Sequence, residues 1–104
     1  MKPINQSGGV DFQHPGNAYQ AFLSHAVVLD TGGPIVYLGT LTHVDEAGFV
    51  LENADVHDTR DGHAIKEVYI NGVSIHGISP NRRRVLVMPS AVMSISKLDD
   101  VVEQ

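Results

Sequence analysis

Hydrophobic and polar positions alternate along this chain in short blocks, at a spacing that predicts strands separated by tight turns. Ala26-Val27-Val28-Leu29 is a continuous apolar run that stops at Asp30-Thr31-Gly32-Gly33-Pro34, a dense turn signal. Residues 35–44 follow, rich in β-branched side chains and with Gly39 in the middle. A glycine there weakens a flat strand but permits the sharp bend that a small barrel needs. Asp45-Glu46-Ala47-Gly48 is the next turn. From Phe49 to Val56 the alternation puts Phe49, Leu51 and Asn53 on one face and Val50, Glu52 and Ala54 on the other. Asp58 to His63 reads as an exposed loop. Val68-Tyr69-Ile70 and Val73-Ser74-Ile75 flank Asn71-Gly72, which predicts a type I′ hairpin or one strand with a bulge. After the turn at Ser79-Pro80-Asn81, Arg84 to Met88 and Ala91 to Leu98 give two more short strands, pinched at Pro89-Ser90.

Before the first strand the period changes. Tyr19, Phe22 and Leu23 fall at i, i+3 and i+4, so a short helix opened by Asn17 or Pro15 is expected, ending before His25. Residues 1–16 are poor in apolar side chains and carry Gly8-Gly9, Pro3 and Pro15, which predicts a flexible arm. The expected organisation is that arm, one domain over residues 17–98, and an acidic tail over residues 99–104.

Composition sets limits on this picture. The chain has 104 residues, 42% of them hydrophobic, enough for one domain with a modest core. Closure of the sheet or self-association would help to stabilise it. Apolar runs stop well short of the ~20 residues that span a bilayer, and the opening MKPINQSGGVDFQHPG has no signal-like apolar stretch. With no cysteine, disulfides and thiolate metal sites are excluded. The expectation is a cytoplasmic protein without a membrane partner. A net charge of −5 argues against a general polyanion binder. Residues 45–61 hold six acids against one base, Arg60, while the positive charge gathers at Arg82-Arg83-Arg84.

Several of these segments together resemble the Sm-like family. The likeness is carried by Val27-Val28-Leu29, the Gly32-Gly33 turn, Tyr37-Leu38-Gly39-Thr40-Leu41 and the stretch from Val44 to Ala54, which is similar to the family's first motif. Val85-Leu86-Val87-Met88-Pro89-Ser90-Ala91-Val92-Met93-Ser94-Ile95 resembles its second motif. The resemblance implies an all-β fold: an Sm-like (SH3-like), strongly bent five-stranded antiparallel barrel with a short N-terminal helix and an extended connection between strands three and four. It also implies self-assembly into a cyclic homo-oligomer of five to eight subunits, in which the fourth strand of one subunit pairs with the fifth of the next. Single-stranded RNA would lie between two turns, at Asp45, Glu46, Gly48 and Phe49 on one side and Met88, Pro89 and Ser90 on the other. Arg82, Arg83 and Arg84 would add phosphate contacts. The sequence departs from the family at Gly48, where an Asn usually reads the base. It departs again at Met88-Pro89, where Arg-Gly is usual.

Other chemistry is thinner. The arginine triplet has a plainer reading, as a charged guard beside the edge strand Val85-Leu86-Val87. Phe49 fits the core as well as a base platform. His57, Asp61 and His63 have the donor types for a divalent ion but no recognised spacing, and solvated loop side chains are the ordinary alternative. No metal or cofactor is expected. His25 and His43 could approach each other across two strands. Ser24 and His25 point to opposite faces of a strand, and no nucleophile elbow, Walker A or G-x-G-x-x-G motif occurs, so catalysis is not expected. The alternative to RNA binding is a structural or protein-interaction ring of the same fold.

Overall fold

The computed structural model describes residues 17–62 and 64–103; the arm expected over residues 1–16 lies outside the described residues. Five strands, β1 (Ala26–Asp30), β2 (Ile35–Asp45), β3 (Gly48–Asp58), β4 (Arg82–Val87) and β5 (Ser94–Lys97), form one antiparallel sheet in the order β4-β3-β2-β1-β5. One helix, α1 (Lys66–His76), joins β3 to β4. A 3-10 turn at Ala18–Phe22 precedes β1, and Asn17 caps it, its Oδ1 accepting from the Tyr19 amide at 2.8 Å. The expected N-terminal helix is therefore present in its tightest form. Among the described residues no helix is long and apolar enough to cross a membrane.

Two irregularities bend the long hairpin of β2 and β3. Leu38 pairs with Asp55 and Thr40 with Glu52, so Gly39 alone faces Asn53 and Ala54. Asn53 takes the extra step with φ +51°, and a Cβ on Gly39 would lie 3.1 Å from Ala54. The bulge shifts the alternation: Ala54, rather than the expected Asn53, joins Phe49 and Leu51 in the core. A strict two-residue period cannot anticipate an inserted residue. On β2, Thr42 is the extra residue between the Leu41–Leu51 and His43–Val50 pairs, which brings Leu41 and Val44 to the same face.

That inner face gathers Val27 and Leu29 from β1, Leu41 and Val44 from β2, Phe49, Leu51 and Ala54 from β3, and Val87 from β4. Ile95 of β5 and the side chains Tyr19, Phe22 and Leu23 pack against the same cluster. Both end strands of the sheet thus reach one apolar interior. The outer face of β1 and β2 has its own cluster, Val28, Val36 and Leu38 beneath Ile70 and Val73 of α1. Strand β1 is covered on both sides, which explains why its sequence is an uninterrupted apolar run.

Residues 66–76 correct the hairpin expected around Asn71-Gly72: they form α1. The β-branched side chains and the Asn-Gly pair favour a hairpin locally, but Tyr69, Ile70 and Val73 share a helical face that covers the exposed outer side of β1 and β2. Packing overrides propensity. The helix ends at Gly77, φ +90°, whose amide donates to the Val73 carbonyl at 2.8 Å. Nothing lies within 4 Å of a Cβ placed on Gly72. Gly72→Ala is therefore expected to raise stability by about 0.5–1 kcal/mol, because alanine has the better helix propensity. Loss of stability in a urea titration of that variant would contradict the helix, since alanine disfavours the left-handed backbone of a type I′ turn.

Candidate functional site

The β2–β3 turn is tight. Asp45 and Gly48 pair directly, leaving Glu46 and Ala47 at the tip. Asp45 holds the turn from inside, one oxygen accepting from the Ala47 amide at 2.8 Å and the other meeting His43 Nε2 at 2.9 Å. The His43 bond, followed by the Ala47 amide, holds the Asp45 carboxyl below the usual aspartate range. Gly48 then passes directly against the end of β4: a Cβ there would sit 2.3 Å from the Val87 carbonyl oxygen. Met88, Pro89 and Ser90 continue from that point, with a 3-10 turn over Pro89–Ala91, and all three are exposed. The two turns expected to face each other are thus neighbours.

Their chemistry is less complete than their placement. Phe49 is 5% exposed and meets Tyr19 edge to face, ring centroids 5.6 Å apart, so it belongs to the core and offers no surface for a base to stack on. Asp45 and Glu46 are acidic, and no lysine or arginine lies in either turn. Arg82, Arg83 and Arg84 begin β4, about 13–20 Å of strand away from Met88. All three are exposed. Alternation from the inward Val85 and Val87 puts Arg84 on the outer side, opposite Glu52, whereas Arg82 lies opposite Ala54 of the inner cluster, beyond the Asn53 bulge. Arg84 reaches Glu52 across the strands at 3.2 Å, an exposed pair, and Arg82 donates to the Asn81 carbonyl at 3.1 Å.

The structure brings together a second polar group that the sequence did not single out as a unit. Asp55, on the outer side of β3, is 3% exposed, the buried acid of the described residues. The Tyr69 hydroxyl of α1 donates to its Oδ2, and Asn81 Nδ2 donates to its Oδ1 at 3.3 Å. Burial, then the bond to Asp55, pushes the Tyr69 phenol up to about 12. His57, two residues along the same face, stacks on the Tyr69 ring with centroids 3.6 Å apart. The Asn81 side chain also completes a strand-like pair with Val56, donating to its carbonyl and accepting from its amide, each at 3.0 Å. This cluster fastens α1 and the start of β4 to β3. The signal for it was an aspartate inside a strand, which needs a partner when buried. Tyr69 could not be named as that partner while residues 68–75 read as strand.

The remaining candidates separate. His57 is committed to Tyr69, and His63 lies outside the described residues. Among the described residues no three His, Asp or Glu side chains are grouped to hold a metal ion. Asp58 binds the Arg60 guanidinium at 2.6 Å, which brings its carboxyl down to about 2. His43 contacts Asp45, and His25 contributes its backbone, its carbonyl accepting from Leu41 N at 3.0 Å. No protein-family model matches the chain, and no curated protein matches it either.

Proposed function

We propose that this protein is an Sm-like barrel subunit that joins edge to edge with copies of itself into a closed ring of five to eight, working as a scaffold without catalysis. The observation that supports it is the strand order, which leaves β4 at one end of the sheet and β5 at the other. Pairing β4 of one copy with β5 of the next satisfies both edges, and a closed ring leaves none. An acidic body and a core-bound Phe49 favour protein contacts over RNA at the ring's face.

Single-stranded RNA is the second reading, supported by the adjacency of the two turns and by the exposed guanidiniums of β4. One measurement tests the ring and a second separates the two readings. Light scattering on the purified chain is expected to give a mass of five to eight subunits; a monomer at all concentrations would end the ring reading. Fluorescence anisotropy with a mixed-sequence oligonucleotide at low ionic strength is expected to show no binding. Salt-sensitive binding there would favour RNA instead.

A further inference from the structure

Charge is unevenly placed along the two end strands. β4 opens with Arg82, Arg83 and Arg84, all exposed, and continues with the apolar Val85, Leu86 and Val87. β5 ends at Lys97 and runs straight into the 3-10 turn Leu98–Asp100, whose Asp99 and Asp100 are exposed. Arg84 is engaged by Glu52 of its own sheet. Arg82, Arg83, Asp99 and Asp100 have no ion-pair partner among the described residues. Two guanidiniums and two carboxylates without partners therefore stand at opposite ends of one sheet.

Faces limit how these ends can meet. Val85 and Val87 lie opposite Leu51 and Phe49 of the inner cluster, and Leu86 between them is directed outward. Ile95 and Lys97 lie opposite Leu29 and Val27 of the same cluster, whereas Ser96 lies opposite the outer Val28. Residues directly opposed across a ladder share a face, and a slip of one residue reverses it. Between antiparallel β4 and β5, two registers keep the faces matched with the strands well overlapped. The first sets Val85 opposite Ile95 but brings Arg83 opposite Lys97, a pair of like charges. The second sets Val87 opposite Ile95 and Leu86 opposite Ser96, and lays the apolar stem of Lys97 against Val85. In it Arg83 and Arg82 fall beside Asp99 and Asp100. A parallel joint carries the arginines to the start of β5, away from both carboxylates.

We infer that copies of this chain join in the second register, with Arg82 and Arg83 of one copy against Asp99 and Asp100 of the next. The inference rests on the edge-to-edge reading and adds to it the charge match that selects direction and register. Exposed ion pairs contribute little each, so ladder hydrogen bonds and apolar contact hold the joint while the charges choose between its registers.

The chain has no cysteine, so engineered thiols report the register directly. Leu86 and Ser96 are exposed and belong to strands at opposite ends of the sheet, so a disulfide between them forms between copies. Cross-strand partners lie about 5 Å apart and their diagonal neighbours about 7–8 Å, beyond the usual disulfide span. The full chain carrying Leu86→Cys and Ser96→Cys is expected to give a covalent ladder of oligomers on mild oxidation. With Leu86→Cys and Ser94→Cys, the pair that the first register would align, little cross-linking is expected. In sedimentation velocity at low salt, Arg82→Glu with Arg83→Glu is expected to raise the dissociation constant of the assembly by about ten-fold, as is Asp99→Arg with Asp100→Arg. All four changes in one chain are expected to restore assembly, with circular dichroism confirming that each variant is folded. An assembled wild type that cross-links through Ser94→Cys instead, that cross-links through neither pair, or whose combined variant stays weak overturns the register and leaves the ring standing. A monomeric wild type overturns the ring and the register with it.

Discussion

Gly48→Val is expected to cost about 3–5 kcal/mol of stability, a large part of what a domain of this size has. Two effects add. Gly48 has φ +139°, a backbone conformation that a β-branched residue adopts only under strain. Its Cβ would also fall 2.3 Å from the Val87 carbonyl oxygen. Neither side can yield cheaply: Phe49 is paired with Val87 in the sheet, and both side chains are buried in the inner cluster. Gly62→Val is the matched control, because nothing lies within 4 Å of its Cβ, and its effect should stay within ~0.5 kcal/mol. Urea unfolding of both variants measures the difference. Equal midpoints would mean that the β2–β3 turn does not press on the end of β4.

Tyr69→Phe should cost about 1.5–3 kcal/mol at neutral pH, because it strips a buried carboxylate of its hydroxyl donor. Asn81 Nδ2, at 3.3 Å, is a poor substitute. The pH dependence carries a sign that can be checked. The folded phenol ionises near 12, above the ordinary 10, so its stabilising contribution is fully present below pH 10. It fades as pH rises from there through 12. Wild type and Tyr69→Phe should therefore differ in unfolding free energy at pH 7–9 and converge above pH 10. A gap that persists unchanged to pH 12 would contradict the hydroxyl bond as its source, since phenylalanine keeps the ring that stacks on His57.

The strands and turns were legible in the sequence because each carries its own local chemistry. Asp30 to Pro34 and Asp45 to Gly48 mark their turns, and the β-branched runs between them have no better use than a sheet. The bend at Gly39 was legible too; the residue that it displaces, Asn53, was not, because a bulge is a property of two strands at once. Helix α1 was hidden by Asn71-Gly72 and its β-branched neighbours, and only the bare outer face of β1 and β2 makes it a helix. The adjacency of the Gly48 and Met88 turns follows from the order of elements. The Asp55, Tyr69, Asn81 cluster joins β3, α1 and the lead-in to β4, so no window of sequence contains it. Arg82 to Arg84 stood out as a charge run, but their distance from Met88 and the pairing of Arg84 with Glu52 required the strand itself.

The pairing of β1 with β5 also imposes an order on synthesis. Val27, Val28 and Leu29 leave the ribosome more than sixty residues before Ser94 to Lys97 exist to cover their free hydrogen-bonding edge. Throughout that interval β1 can pair with β2 and lie under α1, but its other side stays open to any extended chain nearby. The last strand made is the one that closes this edge, so a pause or truncation anywhere before Ser94 would leave an adhesive nascent chain even with β1 to β3 already paired.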